Sequence, residues 1–96
     1  MGNIYLRREQ DVVWREIDEY GVLLKVNTGD YCEINELGVF IWGLLAQEMT
    51  LDELASRVAA AFDASEQTAT EDIVEFARDL EERGMLVVAE RNPNSE

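Results

Sequence analysis

The sequence predicts an α+β domain, a three-stranded antiparallel N-terminal sheet followed by a three-helix bundle, on three observations. Two turn signals, Asp18-Glu19-Tyr20-Gly21 and Asn27-Thr28-Gly29-Asp30, divide residues 12–34 into short runs rich in β-branched and aromatic side chains. Past Asn35 the apolar spacing changes from every second residue to i, i+3, i+4. Two further helix starts and a glycine stop then follow in order, ending at Gly84.

Residues 1–11 carry Ile4, Tyr5 and Leu6 between polar residues and read as an N-terminal arm or an extra strand. Val12 to Ile17 forms the first strand of the meander. In the second, Val22, Leu24 and Val26 alternate with Leu23 and Lys25, so the valine-bearing face is expected to be the buried one. Gly29 stands where the hairpin connection needs a positive φ. Tyr31 to Ile34 makes a short third strand, and both outer strands of such a meander leave one edge unpaired.

Asn35 is placed to cap the first helix. Leu37, Phe40, Ile41, Leu44 and Leu45 form one stripe, and Val39, Trp42, Ala46 and Met49 form a second on the opposite side. A helix apolar nearly all round is a buried one, so it is expected between the sheet and the other helices. Thr50-x-x-Glu53 is a capping box, with Met49 and Leu54 at the spacing of a hydrophobic staple. Leu51, Leu54, Ala55, Val58 and Phe62 give this second helix its core face. Ser65 caps a third helix reaching about Arg83, whose core side is Ala69, Ile73, Phe76, Ala77 and Leu80. Gly84 fits the C′ position, and Leu80 with Met85 supplies the contact that accompanies a Schellman stop. Met85 to Ala89 reads as a short strand, closing a domain over 12–89, and residues 90–96 as a flexible tail.

Ninety-six residues suffice for one small domain, and 47% apolar residues suffice for its core. There is no histidine, which excludes His-based acid–base and nucleophile systems and His metal ligands. The single cysteine, Cys32, can build neither an internal disulfide nor a thiolate metal site. The glycines match no phosphate-binding fingerprint, and the carboxylates sit on solvated helix faces. The chain therefore reads as a binding module, with no catalytic residue, metal or cofactor. A net charge of −13, from 21 acidic and 8 basic residues, repels nucleic acid and steers in a cationic peptide or a basic protein patch. No apolar run spans a bilayer and no secretion signal is visible, so a cytoplasmic location without membrane contact is expected.

Two segments carry the binding expectation. Tyr31, Cys32, Glu33 and Ile34 include no proline or lysine to block an edge, so an extended peptide can add a fourth strand there. Cys32 reads as a small buried hydrophobe beneath that strand. Trp42 belongs in the core, whereas Trp14, on an outer strand, divides evenly between core and recognition. On the third helix seven acidic residues stand against Arg78 and Arg83, a composition typical of a wet face. Val74 lies off the core stripe, flanked by Thr70, Arg78 and Glu81, and suits one wall of a groove.

Several of these residues together resemble the PqqD-like family, the peptide-recognition domains of ribosomally made peptide pathways. They are Thr28-Gly29, Tyr31, Ile34-Asn35, Gly38, Ile41-Trp42, Leu51-Asp52-Glu53-Leu54 and Arg83-Gly84-Met85-Leu86, over about residues 12–86. Cys32 departs from the pattern, standing where an aromatic is common, and the strand lacks the proline-rich lead-in of the quinone-cofactor members. The resemblance implies a winged helix-turn-helix-like fold whose third strand and third helix clamp the leader of a precursor peptide. Carried onto this chain, the groove joins Tyr31 to Ile34 with Thr70, Val74, Ala77, Arg78 and Glu81. The leader is then delivered to a modifying enzyme such as a radical SAM enzyme, a cyclase or a leader peptidase, in a lasso-peptide, quinone-cofactor or other pathway. A monomer and a homodimer both accord with this. The competing expectation, a winged-helix DNA-binding regulator, requires a basic recognition helix, and the third helix is acidic.

Overall fold

Two three-stranded antiparallel sheets, rather than one, accompany the three helices. The computed structural model describes residues 3–91. Its elements are β1 (Asn3–Arg8), β2 (Val12–Ile17), β3 (Tyr20–Lys25), β4 (Tyr31–Ile34), α1 (Glu36–Leu44), β5 (Met49–Thr50), α2 (Leu51–Phe62), α3 (Glu66–Glu82) and β6 (Leu86–Arg91). The expected meander is present in the order β2-β3-β4, and the second sheet has the order β5-β1-β6. Among the described residues no helix is long and apolar enough to cross a membrane.

The second sheet goes beyond the sequence reading. β1 pairs with β6 along its whole length, from Asn3 opposite Arg91 to Arg8 opposite Leu86, and with β5 through Leu6 opposite Met49. Leu6 is buried and seals the bottom of the core. Nothing local in Asn-Ile-Tyr-Leu-Arg-Arg announces this, because the partner strand lies about eighty residues away in sequence. Arg91 makes two hydrogen bonds to Glu48, at 2.8 and 3.0 Å, and its guanidinium stacks over Tyr5. Glu90 and Arg91 thus end a strand, and the remainder of the expected tail, 92–96, lies outside the described residues.

The buried face of β3 is also the reverse of the expected one. Leu23 is fully buried, while Leu24 is 38% and Val26 56% exposed. Adjacent leucines supply an apolar residue to either face, so alternation alone does not choose between them. The choice is made by β4 and α1. Leu23 and Gly21 lie opposite Cys32 and Ile34, whose side chains face the helices. A Cβ on Gly21 would stand 2.9 Å from Ile34 Cγ1 and 3.0 Å from Val39 Cγ2, so glycine lets α1 settle onto the sheet. Lys25 shares this inward face and escapes at its margin. Its ammonium reaches Asp11 at 3.0 Å and the Gly84 carbonyl at 2.8 Å, which holds the Asp11 carboxyl below its usual range.

The helix ends follow the sequence closely. Asn35, Thr50 and Ser65 accept from the backbone N–H groups of Gly38, Glu53 and Thr68, at 2.9, 3.1 and 3.1 Å. Met49 and Leu54 are both buried, as the staple requires. After α3, Gly84 takes φ +74°, with Met85 N–H bonded to Leu80 C=O and Gly84 N–H to Glu81 C=O. That is the Schellman pair.

α1 has no basic residue in its last turn, and β1 supplies one. The Arg8 guanidinium donates from Nε (3.1 Å) and Nη2 to the Trp42 carbonyl, lying over the rings of Trp42 (4.9 Å) and Trp14 (5.6 Å). Trp42 is fully buried, as expected, while Trp14 is 37% exposed.

Candidate functional site

β4 is the terminal strand of its sheet, and among the described residues no strand pairs with its outer edge. Which backbone groups that edge presents follows from the register. The Lys25 N–H bonds the Asp30 carbonyl at 2.8 Å. Antiparallel pairs alternate between bonded and non-bonded, so Cys32 and Ile34 exchange hydrogen bonds with Leu23 and Gly21. Tyr31 and Glu33 therefore aim both N–H and C=O outward. Two donors and two acceptors stand ready for a further strand.

The side chains along β4 divide accordingly. Cys32 and Ile34 are buried against the helices, and Tyr31 and Glu33 project to solvent. The Cys32 thiol lies 3.8 Å from the Met85 sulfur, and burial pushes its pKa up. Buried against Met85, the side chain packs as a small hydrophobe.

Past Ile34 the edge runs into the start of α1, where α1 and α3 border a groove of about 570 Å³. Asn35, Leu37, Gly38 and Ile41 line one side, and Asp72, Glu75, Phe76 and Asp79 the other. Gly38 sets how closely the two helices approach. A Cβ there would lie 2.9 Å from both Ile34 Cβ and Phe76 Cε1. The groove thus joins apolar Leu37, Ile41 and Phe76 to three carboxylates. Arg83, the C-cap residue of α3, is bonded to Asp79 at 3.2 Å, and that ion pair raises its pKa.

The structure does not bring all the expected groove residues to this place. Val74, Ala77, Arg78 and Glu81 line a separate cavity of about 190 Å³, and Val74 and Arg78 also border the outer surface of α3 beside Asp72, Glu75 and Asp79. The cavity's remaining walls come from the second sheet and α2, through Ile4, Leu6, Val88 and Leu51. Thr70 borders the outer surface of α3, and its hydroxyl bonds back to the Glu66 carbonyl at 2.7 Å. Val74 and Phe76 stand about 200° apart around the helix, so a single groove cannot hold both. Of the expected set, Tyr31, Cys32, Glu33 and Ile34 stay together on β4, Ala77 and Glu81 line the cavity, and Thr70, Val74 and Arg78 share the outer surface of α3 with Asp72, Glu75 and Asp79. The sequence reading missed Asp72, Phe76 and Asp79 as groove residues. Their signal was the i, i+4, i+7 row beside the core stripe, and a glycine, Gly38, inside an otherwise apolar helix.

An open, correctly polarised strand edge beside an apolar and acidic groove defines a peptide-binding class of domain. The family model of coenzyme PQQ synthesis protein D (PqqD) matches residues 20–86, and the chain belongs to that family. Among solved structures it is similar to "TbiB1 in Complex with the TbiA(beta) Leader Peptide". That match has 28% identity and a TM-score of 0.74, covering 83% of this chain and 93% of that one. It is also similar to "Lasso peptide synthetase B1 complexed with the leader peptide", at 21% identity and a TM-score of 0.72. This second match covers 85% of this chain and 96% of the other, and it shows the shared fold. Among curated proteins nothing matches.

Proposed function

We propose that this protein binds the leader segment of a ribosomally synthesised precursor peptide by strand addition to β4, and presents it to a modifying enzyme or leader peptidase. The observation that carries this reading is the outward pairing capacity of Tyr31 and Glu33 beside the α1–α3 groove. The likeness to a solved complex of TbiB1 with a leader peptide supports it. Main-chain hydrogen bonds contribute about 0.5–1.5 kcal/mol each, so four give a few kcal/mol and no sequence preference. Selectivity then falls to the groove, where alternate leader side chains meet Leu37 and Phe76 and the carboxylates of Asp72, Glu75 and Asp79. A leader with an apolar anchor and basic neighbours suits that lining.

The role is non-catalytic and needs no cofactor. Tethering the leader raises the concentration of the rest of the precursor at the enzyme, a gain that adds no new contact at the reacting bond. A radical SAM enzyme, a cyclase or a peptidase can each draw on it, and we place the encounter in the cytoplasm. No observation favours the DNA-binding alternative, since the exposed surface of α3 is acidic.

Titration calorimetry with the cognate leader tests the assignment through Glu33→Pro. The substitution removes an outward N–H and leaves the bonds to β3 in place. Affinity should fall about tenfold or more, equivalent to ~1.4 kcal/mol, with an unchanged circular dichroism spectrum. Undiminished affinity in a folded variant would exclude β4 as the pairing edge.

A further inference from the structure

The outward face of the β2-β3-β4 sheet has no part in the groove, and it is apolar. Residues opposite each other in the ladder share a face, so Val13, Leu24 and Tyr31 form one row and Ile17 with Tyr20 another. Val26 continues the face at the hairpin end. All six are more than a third exposed, Tyr31 reaching 68% and Tyr20 59%. At these exposures they present on the order of 600 Å², the upper end for the largest apolar patch of a typical monomer. A standard interface takes about 800 Å² from each partner, within reach once the remaining side chains of the face are added.

The middle row specifies the occupant. Arg15, Val22 and Glu33 lie side by side across the three strands, a cation on one outer strand and an anion on the other. They are the only charged side chains of these rows, although the chain as a whole carries −13. Such a row is complementary to its own copy turned over.

We infer that two copies of this chain associate face to face through this sheet, about a twofold axis running along β3. The axis lays β2 of one copy over β4 of the other. Arg15 then meets the partner's Glu33, Val13 meets the partner's Tyr31, and Leu24 meets its own equivalent. The contact is isologous and closes at two copies. Packed sheets stand about 10 Å apart with strands nearly aligned, a spacing that side chains of this size fill. The seven acidic residues of α3 lie on another element, away from this face, so the joined surface is close to neutral. The outer edge of β4 lies in the plane of the sheet and stays open, so each copy keeps its peptide edge.

Sedimentation equilibrium of the full chain without peptide, over a range of concentrations, tests this. The expected result is a concentration-dependent monomer–dimer equilibrium. Arg15→Glu or Glu33→Arg alone should weaken it by about tenfold or more, since like charges then oppose across the axis. The double variant Arg15→Glu/Glu33→Arg should recover the wild-type constant, and Leu24→Glu should abolish the dimer with the far-ultraviolet spectrum unchanged. A chain monomeric at every concentration overturns the inference and leaves the face to a different protein. A dimer indifferent to the single reversals, or one that the double variant does not restore, overturns it equally.

Discussion

Arg8 does at the residue scale what no residue of α1 does for itself. Its fork joins the Leu45 N–H as a donor to the Trp42 carbonyl at the helix C-terminus, while the guanidinium lies over the rings of Trp42 and Trp14. Desolvation lowers its pKa, yet arginine stays charged throughout the accessible range. Removing it takes the charged donor from a helix-end carbonyl, which keeps only the Leu45 N–H, and uncovers two aromatic rings. Arg8→Ala should therefore lower unfolding stability by about 2–3 kcal/mol, the sum of a charged hydrogen bond and a partly buried cation–π contact. Denaturant titration measures this, and Arg8→Lys should recover less than half, because an ammonium cannot bond and stack at once. None of this was visible in the sequence, where Arg7 and Arg8 are equivalent. The pairing of β1 with β6 distinguishes them.

At the scale of elements, what the sequence made legible was local chemistry. Asn35, Thr50 and Ser65 each cap within three residues, and Gly84 with Leu80 closes α3 in the same way. Choices settled by distant packing were not legible. Leu23 and Leu24 are chemically the same, and only the landing of α1 decides which is buried. α3 posed a similar problem, for its core stripe is flanked on both sides and only one flank meets β4. Phe76 looked like core, and it is half core and half groove. The two flanks can be separated by charge. Asp72→Lys, beside the groove, should weaken binding of a leader with basic residues about fivefold to tenfold, the range of an exposed to half-buried ion pair. Val74→Glu, in the cavity against β1 and β6, should change it less than twofold. Fluorescence anisotropy with a labelled leader distinguishes these outcomes, and the reverse ranking would move the peptide to the other flank.

The whole molecule is a flat body of 39 × 35 × 19 Å that separates its properties by surface. Acid is concentrated along α3, apolar area on the outward face of one sheet, and unpaired backbone on the edge between them. The absence of histidine, the lone cysteine and the overall charge point in the sequence away from catalysis and toward binding. The second sheet joins the two ends of the described chain through the β1–β6 ladder. Amide hydrogen exchange followed by NMR, with and without the leader peptide, tests the central claim most directly. The Tyr31 and Glu33 amides should exchange rapidly in the free protein and become protected when the peptide binds, while those of Cys32 and Ile34 are slow throughout. Peptide binding that leaves Tyr31 and Glu33 unprotected would contradict it.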